Sequence, residues 1–191
     1  MILRYCMRFR ARVGAAFTSL LVATLFATLL ATLPANQVSA QAGPGACAGN
    51  AAGRELDFWL GEWSIAPPGA ASGDAASTVS LDLDKCLVVE NWRGGKSRTG
   101  KNIFGFSQED KAWHGMFADN EGRVHLFEGK VAAGSADFRG NSRGRNGEPE
   151  LHRIRISRLS PDQVEQIWEK SYDNGATWSM VFDGVYSRRK Q

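Results

Sequence analysis

Few side chains in this chain could carry chemistry. Its histidines are His114, His125 and His152, and the carboxylates within its apolar-rich segments include Glu90 and Glu128. A histidine can orient a ligand or change charge near neutral pH, and His152 could equally be a hydrogen-bonded structural residue. His114 and His125 can share a strand face, but no third ligand can be placed to complete a metal site. Haem would need only one histidine, yet nothing else in the chain favours it. No cofactor and no metal is therefore expected. Glu90 and Glu128 could serve as acid and base if folding brought them together. The chain contains no H-E-x-x-H, no P-loop and no G-x-G-x-x-G.

Such groups need a scaffold, and the charge distribution bears on where that scaffold works. Residues 1–40 contain Arg4, Arg8, Arg10 and Arg12 and no acidic residue. Removing these four from 23 lysines and arginines leaves 19 basic against 20 acidic residues, a net charge of −1. That balance disfavours nucleic acid as a partner. Arg4 to Arg12 reads as a basic n-region, Val13 to Leu33 as an apolar core, and Val38-Ser39-Ala40 as a cleavage pattern after Pro34. The chain thus divides into a signal peptide over 1–40, a small polar flexible leader over 41–54 and one domain over 55–191. Translation could also start at Met7. The arginines are never adjacent, so a twin-arginine route is not supported. Uncleaved, the apolar run is long enough to span a bilayer, and a membrane contact is expected only in that case. Cleaved, it leaves a periplasmic or secreted protein.

Export changes how the cysteines read. Cys47 and Cys86 remain after residue 40, and in an oxidising compartment they most simply form one disulfide. Lipid attachment at Cys47 is the competing reading, although Pro44 stands where lipoprotein signals carry an aliphatic residue.

The rest reads as strands. Thr78–Asp84 (TVSLDLD) alternates apolar and polar residues, which a half-buried strand uses and a helix cannot. Further strands are expected at Leu87–Arg93, Asn102–Ser107, Trp113–Ala118, Arg123–Val131, Ala136–Arg139, Leu151–Leu159, Val164–Ser171 and Thr177–Arg188. Glu55–Ile65 mixes helix and strand signals. Turn residues separate the segments, among them Gly94-Gly95 and Asp173-Asn174-Gly175. About nine or ten short strands joined by tight turns predict an all-β fold, an antiparallel up-and-down β-barrel closed to remove its edges.

Strand pairing then orients side chains. A turn at Asp84-Lys85 pairs Leu81 with Val88 and Val79 with Glu90, so Glu90 and Trp92 face inward with the valine and leucine. Ile154 and Ile156 bring His152 inward, and Trp168 is placed inward as well. A turn centred on Asn120-Glu121 opposes Trp113 to Glu128 and Phe117 to Val124, lining the interior with Trp113, Phe117 and Glu128. The opposite face carries His114, Met116, His125 and Phe127, and the sequence alone leaves that choice open. An inward glutamate could also pair with an arginine such as Arg158.

Two motifs carry resemblance. Gly61-x-Trp63 within FWLGEW is similar to the G-x-W that opens lipocalin-like (calycin) barrels, which implies a C-terminal arginine, Arg188 or Arg189, packed against Trp63. Leu56–Trp63, the CLVVENW of Cys86–Trp92 and the C-terminal WEKSYDNGATWSMVFDGVYSRR together resemble exported bacterial proteins of the DUF1579 type. That resemblance implies fold and compartment; GNSRGRNG at 140–147 has no counterpart in it. Ser171–Trp178 fits an Asp-box, S-x-D-x-G-x-T-W. The box repeats in propellers and occurs once here, so Asp173, Gly175 and Trp178 are expected to staple a hairpin.

The resulting expectation is an exported barrel that binds a small apolar or amphipathic molecule. Its cavity would be lined by Glu90, Trp92, Trp113, Phe117, Glu128, His152 and Trp168. The alternatives are an enzyme using an inward carboxylate and histidine, and a ligand-free structural envelope protein with a filled interior.

Overall fold

The computed structural model describes residues 47–190. The signal peptide and cleavage site expected at 1–40 lie outside the described residues. A 3-10 helix, Ala52–Trp59, comes first. Ten strands follow: β1 (Gly61–Ala66), β2 (Ala75–Asp82), β3 (Leu87–Arg93), β4 (Thr99–Phe106), β5 (Trp113–Asp119), β6 (Val124–Ala132), β7 (Ser135–Arg143), β8 (Pro149–Ser160), β9 (Gln163–Ser171) and β10 (Ser179–Arg188). Each pairs antiparallel with its neighbour in sequence, and β10 returns to β1, so the sheet is a closed barrel without edges.

The mixed signal of Glu55–Ile65 resolves into two elements meeting at Leu60, whose backbone is extended. Ala52–Arg54, expected in the polar leader, belong to the helix. The helix plugs one end of the barrel. Leu56 and Trp59 are fully buried, and the Trp59 ring packs against Phe104 and Tyr186. Trp63 Nε1 donates to the Trp59 carbonyl at 2.9 Å. Of the two candidate arginines, Arg188 lies over the Trp63 ring at 4.3 Å and donates to the Leu60 carbonyl at 2.9 Å. Gly61 has φ +135°, and a Cβ there would strike the Arg188 guanidinium, so both backbone and space demand glycine.

The Cys47–Cys86 disulfide ties the segment before the helix to the β2–β3 turn, and Arg54 donates to the Lys85 carbonyl of that turn at 2.7 Å. Above the plug lies an apolar core that includes Val88, Phe104, Phe138, Ile154, Ile156 and Val164.

The β2–β3 register pairs Leu81 with Val88 and Val79 with Glu90, as expected. The β5–β6 register differs from expectation by one residue. Trp113 opposes Gly129 and Phe117 opposes His125. The cause is a third turn residue. Asp119 accepts from the backbone N–H groups of Glu121 and Arg123, each at 3.0 Å, and Gly122 takes φ +80°. The resulting three-residue tip, Asn120-Glu121-Gly122, is the common glycine-closed alternative to a two-residue hairpin. A one-residue slip exchanges the faces of a strand. Glu128 therefore lies exposed on the outer surface, while His125 and Phe127 turn inward.

Removing the disulfide in a Cys47→Ala/Cys86→Ala variant is expected to lower stability by about 4 kcal/mol, because the bond closes a loop spanning 39 positions. The urea midpoint of the variant against the parent chain measures it; an unchanged midpoint would contradict the role given to the cross-link.

Candidate functional site

The end opposite the helix is open. A cavity of about 1040 Å³ runs inward from it. Side-chain alternation determines its lining. Along β3 the inward residues are Val88, Glu90 and Trp92; along β9 they are Val164, Gln166 and Trp168. Each strand thus passes from apolar core to polar floor within one inward step. A bulge between Met180 and Phe182 in β10 sets Phe182 opposite Trp168, so both rings line the wall.

The floor centres on Glu90, which is 1% exposed. Its Oε1 accepts from Ser77 Oγ at 2.7 Å and lies 3.0 Å from the Tyr186 hydroxyl; its Oε2 accepts from Asn102 Nδ2 at 2.6 Å. Tyr186 also reaches Gln166 Oε1 at 2.7 Å. Arg158 does not pair with Glu90: it is exposed and lies over the Phe58 ring. Burial pushes the Glu90 carboxyl up, against the three hydrogen bonds that hold it down. Burial also raises the Tyr186 phenol, and the adjacent Glu90 adds to it.

Toward the mouth stands a second cluster. His125 and His152 have ring centroids 4.5 Å apart. Trp168 packs edge-on against both, and Phe117 against Trp168. Burial and the neighbouring His152 lower the His125 pKa to about 4. His152 is lowered too, chiefly by burial, with Glu150 opposing.

Hydrogen-bond direction assigns the His152 tautomer. An indole N–H can only donate, and Trp168 Nε1 donates to His152 Nδ1 at 3.0 Å. The proton of neutral His152 is therefore on Nε2, which donates to Ser142 Oγ at 2.8 Å. Ser142 Oγ donates to Glu150 Oε2 at 3.1 Å, and Lys170 Nζ donates to Oε1 at 3.4 Å. Burial would raise Glu150, but hydrogen bonds from Tyr172 and Ser142 and the Lys170 charge outweigh it and leave it lowered.

Ser142 matters because Gly140-Asn141-Ser142-Arg143-Gly144 has the G-x-S-x-G spacing of a nucleophile elbow. Here the serine stands on strand β7, not at a strand-to-helix turn. In this tautomer His152 gives Ser142 a proton and cannot take one. The pair is built as a positioning relay, not as nucleophile and base.

Of the residues expected to line the cavity, Glu90, Trp92, Phe117, His152 and Trp168 do so. Trp113 faces inward but lies in the packed core beside Phe106, outside the cavity lining. Glu128 does not reach the interior. Asn102, Gln166, Tyr186 and Ser142 enter the lining without having been singled out, and His125, which the sequence left on the alternative face of the hairpin, joins them. The wall is therefore more polar than expected. Three buried polar atoms without partners sit on lining residues: Trp92 Nε1, Asn102 Oδ1 and His125 Nδ1.

The Asp-box forms a local staple. Asp173 accepts from the Thr177 hydroxyl at 2.6 Å, the Thr177 amide at 2.8 Å and Ser171 Oγ at 2.7 Å. Those bonds pull its carboxyl down to about 2. Gly175 takes φ +90°, Trp178 Nε1 donates to the Gly175 carbonyl at 3.0 Å, and Arg153 covers the Trp178 ring at 4.1 Å.

A carboxyl whose folded-state pKa is raised stabilises the fold fully below its unfolded pKa, and that stability is lost as pH rises through the folded value. Glu90→Gln is thus expected to melt a few degrees higher than the parent at pH 7, with the difference closing below about pH 4.5. His125 has the opposite sign. Its lowered pKa costs stability as pH falls from 6.5 toward about 4, so His125→Phe should flatten the acid side of the melting profile. Thermal melts from about pH 3 to about pH 8 measure both. Identical profiles for parent and variant would contradict either assignment.

No protein-family model matches the chain, and no curated protein matches it. The closed antiparallel barrel is consistent with a lipocalin-like fold.

Proposed function

We propose that this protein is an exported carrier or receptor for a small amphipathic molecule, held in the open half of the barrel. One observation carries this reading: the barrel is filled and plugged at one end but keeps a cavity of about 1040 Å³ at the other. A barrel built only for structure gains stability by filling that space with side chains. The lining pairs aromatic walls at Trp92, Phe117 and Trp168 with hydrogen-bonding groups at Glu90, Asn102 and His125. That combination suits a ligand with an apolar body and a polar end. The charged mouth includes the Arg123–Asp119 ion pair and Lys170–Glu150 at 3.4 Å, which keep the entrance wetted.

Export is supported by the leader and by the Cys47–Cys86 disulfide, since such bonds persist in oxidising compartments. Among the described residues, no helix is long and apolar enough to cross a membrane. The stretches resembling DUF1579-type exported proteins point to the same compartment.

Two measurements test the reading. Native mass spectrometry of protein purified from its own host should show an added mass that disappears on denaturation. The neutral probe N-phenylnaphthylamine should bind saturably, with Trp92 and Trp168 emission quenched as its fluorescence rises. Absence of both the adduct and saturable probe binding would overturn the proposal.

A further inference from the structure

The floor of the cavity has an unbalanced chemistry. Glu90 is a buried carboxyl whose partners, Ser77, Asn102 and Tyr186, are all neutral. None of the ion pairs among the described residues includes it. Buried carboxylates are ordinarily paired with a cation. Beside it, Asn102 is 3% exposed and its Oδ1 has no partner. Both residues line the cavity. The floor therefore presents one acceptor without a donor, Asn102 Oδ1, beside a hydrogen-bonded carboxyl without a counter-charge.

The walls beside this floor are aromatic. Trp92 meets Phe182 edge to face at 6.2 Å, and Phe182 meets Tyr186 at 6.4 Å. Aromatic faces attract a desolvated cation. Three arginines of the mouth are engaged elsewhere: Arg98 lies over the Trp92 ring at 5.8 Å, Arg123 pairs with Asp119, and Arg143 donates to the Gly147 carbonyl at 2.9 Å.

On the reading that the cavity holds an amphipathic molecule, we propose that its polar end is an ammonium group. Glu90 is its counter-ion, and Asn102 Oδ1 accepts one of its hydrogen bonds. An ammonium has three donors and no acceptor, which complements a floor of this kind. It also gives the carboxyl the counter-charge that its neutral neighbours withhold, so Glu90 binds it ionised. An anionic head group would face a buried acid, and a hydroxyl would leave the charge unmatched.

Competition against N-phenylnaphthylamine at pH 7 tests this with three ligands of one chain length: octylammonium, octanol and octanoate. Octylammonium is expected to displace the probe at a concentration about tenfold or more below the other two, as a hydrogen-bonded charge pair predicts. The preference, taken as a ratio within each protein, should collapse toward one in Glu90→Gln. It should fall severalfold in Asn102→Leu, which removes the free acceptor and keeps the carboxyl. Equal displacement by the three ligands, a preference for octanoate, or a ratio unchanged in both variants would overturn the inference. If the probe does not bind, direct calorimetric titration with the three ligands reads the same preference, and equal affinity or no binding of octylammonium there would overturn the inference; the cavity reading itself falls only if the native mass adduct is absent as well.

Discussion

The seam between β1 and β10 is the constraint on which the molecule depends. An antiparallel sheet of ten strands has two edges, and only this pairing removes both. The Trp63–Arg188 stack and the Arg188 bond to the Leu60 carbonyl clamp that seam where the plug helix enters. The clamp joins the first strand to the last, through a hydrogen bond between residues 128 positions apart. Once it has formed, the plug helix and the apolar core have a fixed place to pack.

Closure with one end plugged creates the contrast that matters for function. The same strands that bury Val88, Phe104 and Val164 beneath the floor carry Glu90, Asn102 and Gln166 one inward step higher. Such a polar layer is costly to bury and is tolerated because its members satisfy one another. The Ser77–Glu90–Asn102–Tyr186 cluster does this at the floor for every member except Asn102 Oδ1, and the Trp168–His152–Ser142–Glu150–Lys170 relay does it nearer the mouth. Both are fixed by strands, so the groups facing the cavity are preorganised.

Much of the barrel was legible because alternation along a strand is a direct imprint of its two environments. Val79, Leu81 and the short turn after them were enough to orient Glu90 and Trp92, and Ile154 with Ile156 was enough for His152. Glu128 was misplaced for a specific reason. Val124 and Leu126 are exposed apolar residues, 57% and 63% accessible, so β6 offers apolar side chains on both faces and its pattern cannot choose between them. The choice falls to the turn, where Asp119 adds one residue by capping two backbone amides. That is a side-chain interaction with no simple signal in composition. Trp113 was oriented correctly but placed too near the cavity, since alternation gives the face and not the depth. Ser142 had a readable spacing, but its meaning depends on a proton location that only the Trp168 contact reveals.

The disulfide, the plug helix and the Arg188 clamp all gather at one pole of the barrel, and the mouth loops gather at the other. Cohesion and recognition therefore draw on different residues. The loops at 94–98 and 144–148 can change length or charge without touching the elements that keep the barrel shut, whereas the tip at 120–122 can vary in charge but not in length, because it sets the β5–β6 register. Such a molecule behaves like a cup with a reinforced base and a replaceable lip. Mutational drift is free to reshape what enters it long before it threatens whether it folds.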